Sequence, residues 1–142
     1  MWMTEFCTAV GELRTSLWNS ANGGTGALRI RLESQLDAAS TALTTATSQL
    51  DALPSGSPSG GPAAVSTLIG RLSDLHDDTV NGLESLTALP PNATETDIGR
   101  VMGTIWPKVA SMAGDPLAEV ELTDAMKAAA SDVPCRSLPG LR

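Results

Sequence analysis

His76 is the only histidine in the chain, and it stands within Asp74-Leu75-His76-Asp77-Asp78. An imidazole beside carboxylates is the material of a general base or a metal site. A base also needs a nucleophile held in fixed geometry, and a metal needs three or four ligands. One turn of a helix supplies neither, so a solvated helix face is the expectation. Gly23-Gly24-Thr25-Gly26, followed by Arg29, has the small residues of an anion cradle at a helix N-terminus. It lacks the Gly-Lys-Ser/Thr ending of a phosphate loop and the strand that precedes a dinucleotide-binding turn. A turn and a helix start are expected there instead. Trp18, Met102, Trp106, Met112 and Met126 offer a different chemistry: an apolar pocket between helices, lined by adaptable thioethers. The same spacing also suits ordinary core. No nucleophile–base pair, carboxylate pair or ligand cluster stands out, so the chain reads as a non-enzyme calling for no metal and no cofactor.

Cys7 and Cys135 lie near opposite ends of 142 residues that contain no other cysteine. A bundle of antiparallel passes can bring such ends together, and a disulfide would then clasp them. Closing so long a loop stabilises a fold by roughly 4–5 kcal/mol on the chain-entropy model. That gain exists only in an oxidising compartment. Two unrelated buried thiols in a cytoplasmic protein are the alternative. Metal binding by two isolated thiols lacks the usual paired spacing. A lipid anchor on Cys7 lacks the apolar, small-residue context, since Thr4-Glu5-Phe6 precedes it.

The elements that must position these residues read as helices. Phe6, Val10, Leu13 and Leu17 form one stripe over 4–18, with Thr4 as cap and Glu5 in the first turn. From 25 to 53, Leu32, Leu36, Ala39, Leu43, Ala46, Leu50 and Leu53 keep a 4-3-4-3 spacing, the seam of a bundle helix about 28 residues and roughly 42 Å long. Pro54 to Pro62, rich in Ser and Gly, predicts a flexible linker. A third helix over 63–86 carries Val65, Leu68, Leu72, Leu75, Thr79, Leu83 and Leu86, widened by Ile69 and Val80. Leu89-Pro90-Pro91-Asn92 ends it. The fourth helix starts near Thr96 or Asp97 and shows Ile98, Val101, Met102, Ile105, Val109 and Met112 on one face. Pro107 inside it predicts a kink, with a full break as the rival. Asp115 and Pro116 suit a helix restart, and Thr123 caps a further short helix. Cys135 then falls in an extended segment, and 136–142 in a tail.

The fold class predicted is all-α: an up-and-down bundle of four main helices plus a short C-terminal helical segment, in a single domain over 1–142. A net charge of −7 with nine scattered basic residues argues against nucleic acid as partner. No run of about 18 apolar residues occurs, so no transmembrane segment is expected. Met1 to Phe6 has neither the basic nor the apolar region of a signal peptide. Either the protein is cytoplasmic or a leader precedes the numbered chain. Aromatic residues make up only 3%, with no tyrosine, so the core is expected from Leu, Val, Ala and Met. Asn92-Ala93-Thr94 matches a glycosylation sequon, a pattern short enough to arise by chance.

With a cysteine in the first helix, a helical middle with a Ser/Pro/Gly linker, and the ending Ala128-Ala129-Ala130-Ser131-Asp132-Val133-Pro134-Cys135, the chain resembles small secreted helical proteins of actinobacteria. The resemblance covers the layout of the chain, and its specific motif is the two cysteines and their flanks. It implies a Cys7–Cys135 disulfide and export. It also implies a leader in the natural form, with Met1-Trp2-Met3 foreign to it. Cys135-Arg136-Ser137-Leu138-Pro139 has a faint likeness to secreted haem carriers of related layout, but the tyrosine that commonly serves haem there has no counterpart and only His76 remains. The expected function is that of an exported, non-enzymatic module that binds an unidentified protein partner in the cell envelope or outside the cell. A carrier of a small apolar ligand, lipid or haem, is the alternative.

Overall fold

The leucine spacing of the second helix sets the architecture. In α2 (Leu28–Asp51) the seam residues Leu36, Ala39, Leu43, Ala46 and Leu50 are buried, and Leu32 and Leu53 pack partly buried against the core. The computed structural model describes residues 2–20, 27–130, 133–139 and 141. Around α2 stand α1 (Trp2–Ser20), α3 (Gly61–Ala88) and α4 (Glu95–Gly114), followed by the short α5 (Asp124–Ala129) and α6 (Val133–Arg136). Neighbours in the chain are neighbours in space, α1 on α2, α2 on α3 and α3 on α4, and α4 closes the ring against α1. The fold is the expected all-α up-and-down bundle, with no strand among the described residues.

Local chemistry explains where the helices start and stop. Thr4 is not the first cap: α1 already begins at Trp2, whose ring stacks on Phe6 one turn later at a centroid distance of 5.2 Å. Trp2 and Met3 are buried core residues. Gly60, at φ 85°, occupies the left-handed region before α3, and a Cβ there would stand 2.2 Å from Cγ2 of Thr123. The linker is therefore docked at its far end, where the Thr123 hydroxyl donates to the Ser59 carbonyl at 2.5 Å. Thr94 caps α4 in place of Thr96 or Asp97. Its hydroxyl accepts from the Asp97 N–H (3.2 Å), and the Asp97 carboxylate accepts from the Thr94 N–H (3.1 Å). This is the work done by the threonine of the apparent sequon.

Helix α4 runs through Pro107 without the full break that was the rival reading; Gly103 and Pro107 are both exposed, so the carbonyl that loses its donor faces water. Two other expectations near the C-terminal end change. No helix restarts at Asp115. The Asp115 N–H closes α4 on the Ser111 carbonyl, and tight turns follow, with Glu119 at φ 66°. The reason is that the Arg71 guanidinium takes the carbonyls of Pro116 and Ala118, which a helix would have needed. Cys135 lies in the single turn of α6 rather than in an extended segment, and Leu138 and Leu141 beyond it are buried, so this segment is packed rather than trailing. Thr123 does cap α5 as read, accepting from the Met126 N–H at 3.3 Å.

The C-terminal segment completes a side that α4 leaves uncovered. Helix α4 ends beside the middle of α1, where Arg14 Nε donates to the Ala113 carbonyl at 3.1 Å. From there the chain passes Arg71 and Gly60 on the α3 side, then returns along α1 past Met3, Cys7 and Arg14. Cys7 and Cys135 are joined by a disulfide, both wholly buried.

Candidate functional site

Each residue singled out by its chemistry has a definite place. His76 lies partly exposed on α3, and its Nδ1 stands 4.0 Å from a carboxylate oxygen of the adjacent Asp77. Among the described residues no three His, Cys, Asp or Glu side chains converge as metal ligands. The Gly23–Gly26 turn lies outside the described residues. Arg29 beyond it is engaged: its guanidinium donates to the carbonyls of Thr87 (3.0 Å), Leu89 (2.7 Å) and Pro90 (3.0 Å), and Glu33 lies 3.5 Å away.

Arg29 belongs to a pattern. None of the four long helices has a basic residue in its own last turn. Arg29 of α2 supplies that charge to the end of α3, and Arg14 of α1 supplies it to the end of α4 while reaching the Ser137 carbonyl (3.3 Å). Arg71 does the same for the turn after α4. These cations meet the partial negative charge of carbonyls that have no donor within their own helix. Three of the nine basic residues are thus spent on backbone carbonyls.

The residues expected to line an apolar pocket fall in two places. Met102, Met112 and Met126 are buried in the core cluster, and Trp106 packs partly buried against it. Trp18 stands elsewhere. It is 61% exposed near the end of α1 and lines a cleft of about 370 Å³ with Arg14, Thr15, Ala113 and Gly114. Met112 borders a different cleft, shared with Arg71, Asp78, Pro107 and Lys108. Lys108 Nζ there donates to Asp78 at 2.9 Å.

A further groove, of about 510 Å³, runs between α1 and α2. Its α2 wall is a second seam, Gln35, Ala38, Ala42, Thr45 and Gln49, spaced 3-4-3-4 like the leucine seam but without a leucine. Its α1 wall holds Glu12, Leu13, Ser16 and Asn19, and Gln49 Nε2 donates to the Glu12 carboxylate at 2.7 Å. The sequence reading passed over these residues because it followed apolar spacing alone; their own period was the available signal.

No protein family model, curated protein or solved structure matches the chain. No helix of the described residues is long and apolar enough to cross a membrane.

Proposed function

We propose that the chain is an exported, disulfide-closed helical bundle that works by binding a protein partner through its surface, without turning over a substrate. Trp18 carries this reading. A tryptophan left 61% exposed puts a large apolar ring in water, and such rings are the residue type most enriched at binding hot spots. It sits beside a cleft whose floor is fixed, because Arg14 is held by the carbonyls of Ala113 and Ser137. Export is supported by the buried Cys7–Cys135 bond, whose stabilising effect requires an oxidising compartment. The methionines that would have lined an apolar carrier pocket fill the core, so surface recognition is placed ahead of ligand carriage.

The test is site-specific photocrosslinking in the cells that make the protein. A benzophenone amino acid replacing Trp18 is expected to give one discrete heavier species. The same probe at exposed Thr44 on α2 is expected to give none. Equal labelling from both positions, or none from either, would overturn the proposal.

A further inference from the structure

Asp115 carries a nucleophile that the fold does not otherwise use. An aspartate that opens a turn ordinarily folds its carboxylate onto the N–H two residues on. Asp115 does open one, since its carbonyl accepts from the Ala118 N–H at 3.2 Å. Its Oδ1 is nevertheless buried, with no hydrogen-bond donor among the described residues. A carboxyl oxygen out of water and without a donor is destabilised where it stands, so any bond it forms starts from a poor ground state.

The next residue is Pro116, and no other Asp–Pro pair occurs in the chain. The peptide bond between them is open to attack on three counts. The carboxyl and the carbonyl carbon belong to one residue, so attack closes a five-membered ring with no second group to bring up. The Ala118 N–H already donates to the carbonyl oxygen on which negative charge builds. The proline nitrogen belongs to a tertiary amide and takes a proton more readily than an ordinary amide nitrogen. The turn itself is held: the Arg71 guanidinium donates to the carbonyls of Pro116 and Ala118, and Glu119 stays at φ 66° in the left-handed region. Opening the chain just before this turn relieves its strain.

We propose that the chain cleaves itself between Asp115 and Pro116. Oδ1 of the protonated side-chain carboxyl bonds to the Asp115 carbonyl carbon, and the carboxyl proton passes to the Pro116 nitrogen. The C–N bond then breaks with its electron pair on that nitrogen, leaving a cyclic anhydride on Asp115. Water adds to the anhydride and opens it to the α-carboxyl and the side-chain carboxyl. The sum is hydrolysis of one peptide bond by one water, with nothing oxidised or reduced. Asp115 is only half-buried, so water reaches it. Each molecule reacts once and turns over no substrate, and the step does not depend on Trp18 as a binding residue. The Cys7–Cys135 bond spans the cut, so 1–115 and 116–142 stay joined as a two-chain protein.

Intact mass measurement of the full, oxidised chain in one acetate buffer tests this, with one sample native and the other unfolded in guanidinium chloride. The native sample should gain the mass of one water, and on reduction should split into 1–115 and 116–142. It should do so about ten times faster than the unfolded sample, or more. That comparison separates cleavage driven by the fold from the ordinary acid lability of Asp–Pro bonds. Asp115→Ala should stop the reaction. Asp115→Glu, which would need a six-membered ring, and Pro116→Ala should each slow it by about tenfold or more. The proposal is overturned if the native bond breaks no faster than the unfolded one, if the cut falls elsewhere, or if Asp115→Ala cleaves at the same rate. The native-against-unfolded comparison needs no variant, so a substitution that fails to fold does not shelter it.

Discussion

Arg29 shows how single side chains close this bundle. Its three acceptors are carbonyls at and just past the end of α3, and its stem rises from the first turn of α2, so one residue joins the two helix ends. Hydrogen bonds from a charged donor are worth about 1.5–3 kcal/mol when buried, and the partial exposure of this side chain lowers that figure. Arg29→Met should therefore destabilise the fold by about 1–2 kcal/mol, seen in urea unfolding as a lower midpoint with an unchanged slope. Arg29→Lys should recover only part, because one ammonium cannot serve three carbonyls with the geometry of a planar fork. A loss as large for Arg31→Met, whose guanidinium sits on an exposed position, would contradict this account. None of this was legible beforehand. Arg29 was read as a neighbour of a glycine turn, because nothing local in a sequence says that a helix end sixty residues away needs a donor.

At the scale of the element, periodicity was the part that could be read. The leucine seam of α2 and the faces of α3 and α4 are buried where their spacing placed them, because a 3.5–3.6 residue period leaves one stripe to bury. Ends and turns were read less well. The cap at Thr94 and the absent helix after Asp115 were each decided by a partner, Asp97 and Arg71. Glycines within α3 divide in the same way. Gly70 has open space around it, whereas a Cβ on Gly82 would stand 2.0 Å from the Ile105 Cδ1 atom of α4. Gly70→Ala should stabilise the protein by about 0.5–1 kcal/mol through helix propensity. Gly82→Ala should give no such gain and should lose about 1 kcal/mol or more, since Ile105 must leave its rotamer. Thermal unfolding of the two variants separates them, and an equal gain at both positions would show that the α3–α4 approach is looser than described. The α1–α2 groove was hidden for the converse reason: its seam has a helical period but the wrong polarity for a search aimed at leucine.

For the whole molecule, the ends decide stability. The segment after α4 covers the remaining flank of α1 and is held there by Thr123 on Ser59, Arg14 on Ser137 and the disulfide. The bond closes a loop with a sequence separation of 128. Replacing Cys7 and Cys135 together by serine should cost up to about 4–5 kcal/mol, a fall in Tm of about 8–20 °C for a chain of this size. The placement of both sulfurs was foreseen from their positions near the two ends, but the route between them was not, since it depends on how far α4 reaches along α1. The clasp also underlies the proposed export, so the most direct measurement is a count of free thiols. Protein taken from the cells that make it is denatured in alkylating reagent and weighed intact, with and without prior reduction. The account predicts no adduct without reductant and two adducts with it; two adducts in the unreduced sample would contradict it.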